Sequence, residues 1–239
     1  MTDASPLPAD HPPVGEADVA AGLRAVRAGI RRAAEDGARD PAGVHLVAVS
    51  KTVPAESIVP ALEAGQRLFG ENYVQESMAK WPALRARYPD VELHLVGPLQ
   101  SNKAQDAVAL FDVIHALDRP SLAKALAKAI ARSGRSPKLL IQVNTGGEAQ
   151  KGGVAPDAVD VLLAECRGTH GLAIHGLMCV PPVADPPSAH FALLAGIAAR
   201  HGLPILSMGM SADYPAAIQM GATHVRVGTS IFGARTPKA

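Results

Sequence analysis

From residue 16 onward the apolar positions first follow a helical rhythm. Val19, Leu23, Val26 and Ile30 recur at spacings of three and four, predicting an amphipathic helix over Glu16–Asp36 that Gly37 ends. The rhythm then changes. Short apolar runs at His45–Val49, 67–69, 92–96, 113–116, Lys138–Val143, 173–178, 205–208 and 223–227 begin to alternate with helical stretches. Those stretches cover 54–64, Val74–Arg87, 99–109, Pro120–Ser133, 156–166, 188–201 and 214–220. Runs rich in Val, Ile and Leu, apolar on both faces and each followed by a helix, predict a parallel sheet covered by helices. Eight of them favour an α/β fold closed into a single (β/α)8 barrel of the TIM type, with an extra N-terminal helix. Were the second or fourth run, both short, not a strand, an open seven-stranded sheet would remain.

Polar and glycine-rich motifs follow the runs: Ser50-Lys51-Thr52, Gly70-Glu71-Asn72, Gly97-Pro98-Leu99-Gln100, Asn144-Thr145, Gly209-Met210-Ser211 and Gly228-Thr229-Ser230. Each alone is ordinary turn chemistry. In an α/β barrel, however, the C-terminal strand ends form one mouth, so six such motifs converge on a single site.

Composition narrows the picture without redirecting it. The 239 residues are 48% hydrophobic and 19% charged, enough for one domain with a large buried core. The expected organisation is a disordered leader over 1–15, rich in Pro, Asp and Ala, followed by one barrel domain over 16–239. No internal repeat or second domain is evident. Lys and Arg number 23 against 22 Asp and Glu, a net +1 that offers no electrostatic reason to bind nucleic acid or an anionic membrane. No run of roughly 18 apolar residues offers a membrane span. The leader lacks a basic-then-apolar signal pattern. Two cysteines, Cys166 and Cys179, are too few for a disulfide framework and lack metal-ligand spacing, so a cytoplasmic protein is expected. Aromatic residues make up 3%, so the core must be built from Ala, Val, Leu and Ile.

Lys51 directly follows the first strand. It is either a surface lysine at a strand end or an amine in the barrel mouth. In the second case an apolar setting disfavours its charge and frees it as a nucleophile for Schiff-base chemistry. The turns at Gly209 and Gly228 follow the last two strands, where barrels of this kind recurrently bind phosphate. Glycine permits close backbone approach, and the hydroxyls of Ser211 and Thr229 add donors. Arg226 lies inside the eighth run, on the face of Gly228 by alternation, where an unpaired charge is costly. It either pairs with a carboxylate such as Glu71 or Asp213, or donates to the ring nitrogen of a heterocycle.

Seven motifs then carry a resemblance. They are Ala48-Val49-Ser50-Lys51-Thr52, Phe69-Gly70-Glu71-Asn72-Tyr73-Val74-Gln75-Glu76 and His94-Leu95-Val96-Gly97-Pro98-Leu99-Gln100-Ser101-Asn102-Lys103, followed by Val143-Asn144 with Glu148 and Lys151. The others are Gly176-Leu177-Met178, Leu206-Ser207-Met208-Gly209-Met210-Ser211-Ala212-Asp213 and Val225-Arg226-Val227-Gly228-Thr229-Ser230-Ile231-Phe232-Gly233. In this order the chain resembles the pyridoxal phosphate homeostasis proteins, single-domain relatives of the alanine racemase barrel. The resemblance implies pyridoxal 5′-phosphate held covalently as a Schiff base on Lys51. It implies phosphate contacts from Ser211, Gly228 and Thr229 with backbone at Met210, Arg226 facing the pyridine nitrogen, and Asn72 lining the pocket near the ring. It further implies a monomer, with apoenzymes that use this cofactor as recipients if delivery occurs.

Other polar residues have plainer expectations. His94 reads as a satisfied core histidine and Cys179 as an inert buried thiol. Glu71 is either a pocket acid or a carboxylate at a helix N-terminus. Lys103 and Lys151 read as solvated lysines, and Asp213 can cap the helix starting at Tyr214.

Two function classes remain: a binding protein that buffers, protects or delivers the cofactor, and an amino-acid racemase. Racemases of this lineage carry a further β domain with a catalytic tyrosine, and no such domain is expected here. Racemisation needs bases on both faces of a planar carbanion, and none of Tyr73, Tyr88 or Tyr214 stands in an evident opposing position. An arginine holds its proton, so Arg226 would leave the ring nitrogen unprotonated and weaken the electron sink. That point disfavours transaminases more than racemases. The expectation is cofactor binding with little or no turnover.

Overall fold

Strand β1 (His45–Val49) is buried over its middle three residues because both of its faces are covered, one by helices and one by the barrel interior. The strands that follow are largely buried as well: β2 (Leu68–Glu71), β3 (Glu92–Leu95), β4 (Val113–Leu117), β5 (Lys138–Val143), β6 (Ile174–Cys179) and β8 (His224–Val227), whereas in β7 (Ile205–Ser207) Ser207 alone is buried. They pair in parallel in chain order, and β8 returns to β1 with Val47 opposite Arg226, closing the sheet. This computed structural model describes residues 16–233. The leader expected over 1–15 lies outside them, as do residues 234–239. Among the described residues no helix is long and apolar enough to cross a membrane.

Helices α1 (Glu16–Asp36), α2 (Ala55–Glu63), α3 (Val74–Arg87), α4 (Ala104–Leu110), α5 (Pro120–Ser133), α6 (Val159–Gly168), α7 (Pro187–Arg200) and α8 (Tyr214–Gln219) form the outer layer. The (β/α)8 barrel with its extra N-terminal helix is therefore as expected, and the open seven-stranded sheet is excluded. Trp81, Phe69, Phe111 and Phe191 are fully buried within a core otherwise dominated by Val, Leu, Ile and Ala.

Two local details bear on the mouth. A short helix α9 (Thr229–Phe232), not expected from the sequence, follows β8 directly. Helix α1 lies so close to it that a Cβ at Gly22 would sit 2.6 Å from the Ser230 carbonyl oxygen. The N-terminal helix thus buttresses the last turn of the mouth.

Candidate functional site

After β1 the chain turns sharply. Thr52 adopts φ 62°, a left-handed conformation that a β-branched residue resists, and half-buried Lys51 immediately precedes it. A charged network behind the turn, between β2 and α3, holds it there. Lys80 Nζ donates to the carbonyls of Ser50 at 2.9 Å and Val53 at 3.1 Å, on either side of Lys51-Thr52. The same ammonium pairs with Glu71 at 2.8 Å and Glu76 at 3.1 Å. Glu76 accepts the Thr52 N–H at 2.6 Å, while Glu71 Oε1 accepts from Ser50 Oγ at 2.7 Å and Trp81 Nε1 at 3.0 Å. Glu71 is consequently neither a pocket acid nor a carboxylate at a helix N-terminus: it ends β2 and is bonded to the Lys80, Ser50 and Trp81 side chains. It shares the helix-facing side of β2 with Phe69, whose ring packs on Trp81, and lies fully buried.

On the opposite side of β1, Arg226 points into the barrel. Its NH1 donates to Ser207 Oγ at 2.7 Å and its NH2 to the Cys179 carbonyl at 2.9 Å. Neither carboxylate suggested by the sequence is its hydrogen-bond partner. Its main-chain N–H donates to Gly209 O at 2.9 Å, tying β8 to the turn after β7. Burial lowers the Arg226 pKa, yet a guanidinium remains charged. These two side-chain bonds engage two of its five N–H donors.

The glycine turns are tight for steric reasons. Gly209 has φ +90°, and a Cβ there would lie 2.5 Å from the Ala217 Cβ. A Cβ on Gly228 would lie 2.9 Å from the Val49 carbonyl oxygen, so the turn after β8 abuts the end of β1. In α9 the Ile231 and Phe232 N–H groups donate to the Gly228 carbonyl at 2.8 and 2.9 Å, so Thr229 and Ser230 carry the first-turn N–H groups with no intrahelical acceptor, and Thr229 is exposed. Asn72, half-buried after β2, backs onto Gly97, where a Cβ would collide with Asn72 backbone at 2.5 Å. The structure therefore brings Lys51, Asn72, Met210, Ser211, Arg226, Gly228 and Thr229 into one arc of the mouth, the β7–β8–β1–β2 sector. An amine, a backbone cradle with hydroxyls, and a buried guanidinium together fit an anionic aldehyde with a ring nitrogen.

Across the mouth lies a cavity of about 220 Å³ lined by Asn72, Val96, Gln142, Asn144, Lys151 and Met178, among others. Of the expected site residues its lining includes Asn72. A larger concavity of about 410 Å³ opens by the N-terminal ends of β1 and β2. There Arg27 is bonded to the Ala64 and Gly65 carbonyls and Arg67 to Asp90, so size alone does not identify the site. The mouth is the better candidate because its groups converge.

Among the remaining polar residues Lys151 and Asp213 depart from expectation, while Cys179 and His94 meet it. Lys151 is not merely solvated: it pairs with Glu148 at 2.6 Å and donates to the Pro181 carbonyl at 3.0 Å. Asn144 holds that loop, donating to Glu148 O and accepting from Glu148 N–H. Asp213 makes no side-chain cap on α8; it accepts the Met210 N–H at 2.6 Å and so braces the turn after β7. Cys179 is buried, and burial pushes its thiol up to about 12, leaving it protonated. His94 is buried and fully bonded, as expected.

Sequence reasoning missed Lys80, His115 and Ser207. A Glu-x-x-x-Lys spacing (Glu76, Lys80) beside Trp81 was a signal for the first, and a histidine inside the apolar strand β4 was one for the second. Ser207 left none beyond its place at a strand end.

The alanine racemase N-terminal domain family matches residues 22–236. A pyridoxal phosphate homeostasis protein of Vibrio alginolyticus is 44% identical over 207 residues, covering 82% of this chain and 89% of that protein. PipY of Synechococcus elongatus, solved without PLP, superposes with TM-score 0.80 at 40% identity, over 90% of this chain and 100% of that one. The same protein with PLP bound gives TM-score 0.77 at 39% identity, with the same coverage.

Proposed function

The chain belongs to the alanine racemase N-terminal domain family, among the pyridoxal phosphate homeostasis proteins, and from that premise we propose that it binds pyridoxal 5′-phosphate to store, protect or deliver it. The cofactor, when bound, supplies an aldehyde that a primary amine can hold reversibly. Lys51 is that amine in this proposal. The backbone of Met210, Ser211, Gly228 and Thr229 would receive the phosphate, Arg226 would meet the ring nitrogen, and Asn72 would line the ring pocket. The observation that carries it is the strained, braced turn at Lys51-Thr52 beside two glycine turns on adjoining strands. A strained β-branched residue held by three charged side chains is an expensive way to make an ordinary turn, and its effect is to fix Lys51 at the mouth.

The absence of turnover belongs to the same proposal. A racemase would need a second base facing Lys51. The Tyr214 hydroxyl is packed against Gly29 in α1, where a Cβ would lie 2.1 Å from it. Tyr88 ends α3 with the Arg67 and Arg87 guanidinium groups over its ring. Tyr73, adjacent to Asn72 and 55% exposed, is the tyrosine a racemase would have to use. A soluble monomer acting in the cytoplasm, with apoenzymes as recipients, completes the proposal.

Borohydride reduction of the loaded protein followed by peptide mass mapping is the direct test. A pyridoxyl adduct is expected on the peptide containing Lys51, and an adduct confined to another lysine would refute the assignment. Enantiomer formation from a panel of L-amino acids at about 1 per second or faster would replace the handler by the racemase.

A further inference from the structure

A line of buried polar groups crosses the barrel interior and ends on Arg226. Glu92 opens β3 with its side chain 31% exposed, and its Oε1 lies 2.9 Å from His94 Nε2. His94 Nδ1 lies 2.9 Å from His115 Nε2 on β4. His115 Nδ1 lies 3.0 Å from Ser207 Oγ on β7, and that oxygen accepts from Arg226 NH1. His94, His115 and Ser207 are all completely buried, so each hydrogen must find its acceptor within the line.

Proton counting then leaves one direction. A carboxylate only accepts, so His94 Nε2 carries the hydrogen and His94 Nδ1 is the acceptor. His115 Nε2 must then donate, which leaves His115 Nδ1 as acceptor. Ser207 donates its hydroxyl hydrogen to that nitrogen and offers its lone pairs to Arg226. We infer that Glu92, His94, His115 and Ser207 form a one-directional hydrogen-bond chain whose orientation is set by Glu92 at the base of the barrel. Its effect is to position Arg226 at the mouth, so that His115 and Ser207 are positioning residues for that guanidinium.

The surroundings keep both histidines neutral. Around the chain are His224 and Arg226 on β8, Lys138 on β5, Asp112 ahead of β4 and Cys179 on β6, with exposed His45 on β1 packed behind His224. Burial first, then the neighbouring His94, Arg226 and His224, which disfavour a further charge, hold His115 well below the usual histidine range; burial lowers His94 as well, against the opposing pull of its Glu92 hydrogen bond. The His94 hydrogen bond holds Glu92 down at about 2, so the accepting end stays ionised. Successive bonds in such a chain polarise one another, making Ser207 Oγ a better acceptor for Arg226 than an isolated hydroxyl.

The link to ligand rests on the cofactor reading above; the chain itself does not, and the test separates them. In ligand-free protein, nitrogen-15 NMR of the imidazoles should show His94 and His115 both as neutral Nε2–H tautomers. Glu92→Gln can donate as well as accept, so it should convert part or all of the His115 signal to the Nδ1–H form. A wild-type His94 imidazolium, or a His115 tautomer indifferent to Glu92→Gln, would overturn the chain. In loaded protein, Ser207→Ala should weaken pyridoxal phosphate binding about 5- to 10-fold, roughly one lost hydrogen bond. It should also shift the visible absorbance maximum, and Ser207→Thr, which keeps the hydroxyl, should restore both. Unchanged affinity and spectrum in Ser207→Ala would refute positioning of Arg226 even if the tautomers are as described.

Discussion

Lys51 and Arg226 belong to neighbouring parts of the barrel, just beyond β1 and within β8, yet they are held from opposite sides of the sheet. The Lys51 turn is braced from the helix side by Lys80, Glu71 and Glu76, a charged network that also keeps Thr52 in a strained conformation. Arg226 is braced from the barrel interior by Ser207 and the Cys179 carbonyl, with neutral histidines behind them. The difference follows from what each layer can supply. Helix α3 is long enough to bring a carboxylate and an ammonium one turn apart against the strand ends, where Lys80 reaches main-chain carbonyls. The interior is enclosed by strands alone, so its polar groups satisfy one another in a line, without a counter-ion until Glu92 at the rim.

Four experiments would break or sharpen that contrast, beginning with the largest effect. Lys51→Ala should abolish covalent retention of pyridoxal phosphate, seen as loss of the bound visible absorbance after gel filtration, while the unfolding midpoint stays near wild type. Lys80→Met removes the counter-charge of a buried carboxylate and should destabilise the fold by about 3–5 kcal/mol in urea titration. It should also slow cofactor capture by Lys51. A small stability change would mean that the outer brace is not the anchor described.

The interior brace should instead be sensitive to mild acid. His224, His94 and His115 all have folded pKa values below the ordinary histidine value, His224 at about 3. The unfolded chain therefore binds more protons once pH falls through about 6.5, and stability is lost in that direction. His224 alone should remove about 2 kcal/mol between pH 7 and pH 5, with the other two adding in the same sense. Glu92, whose folded pKa is depressed, loses its contribution only below about pH 4.5, so the interval from 7 to 5 isolates the histidines. Flat urea midpoints across it would refute a neutral interior. The smallest effect belongs to Thr52→Gly. Relief of a left-handed β-branched residue, about 1–2 kcal/mol, is largely offset by glycine's extra chain entropy. A net gain below about 1 kcal/mol is expected, with slower cofactor capture as the turn loosens.

How much of this was legible in the chain depended on periodicity. Helices α1, α3 and α5 and strands β1 and β5 begin and end where the pattern put them, because their apolar spacing is long and unbroken. Strand β2 runs to Glu71, past the 67–69 predicted. Gly70 and Glu71 look like a loop in isolation, but Gly70 O accepts from Ser50 N–H and Glu71 O from Val96 N–H, and these pairings extend the strand. The role of Asp213 was misplaced for a related reason. An acidic residue before a helix suggests a cap, yet the nearest unsatisfied donor was the Met210 N–H in the folded turn. Glu71 could not be placed at all without Lys80 and Trp81, which lie 9 and 10 residues further on.

The sequence by itself determined the eightfold alternation of strand and helix and the sector in which the glycine turns, Lys51 and Arg226 gather. Both are local: hydrophobic period and turn residues act over a few positions, and a closed parallel barrel then brings all strand ends to one mouth. Only the tertiary structure decided what holds those residues. The Lys80 ammonium meets carbonyls 30 and 27 residues away, and His115 meets a hydroxyl 92 residues away. Such partners are selected by burial, where each polar hydrogen must be matched by whatever acceptor the packed layers bring within reach, and no spacing along the chain encodes that match.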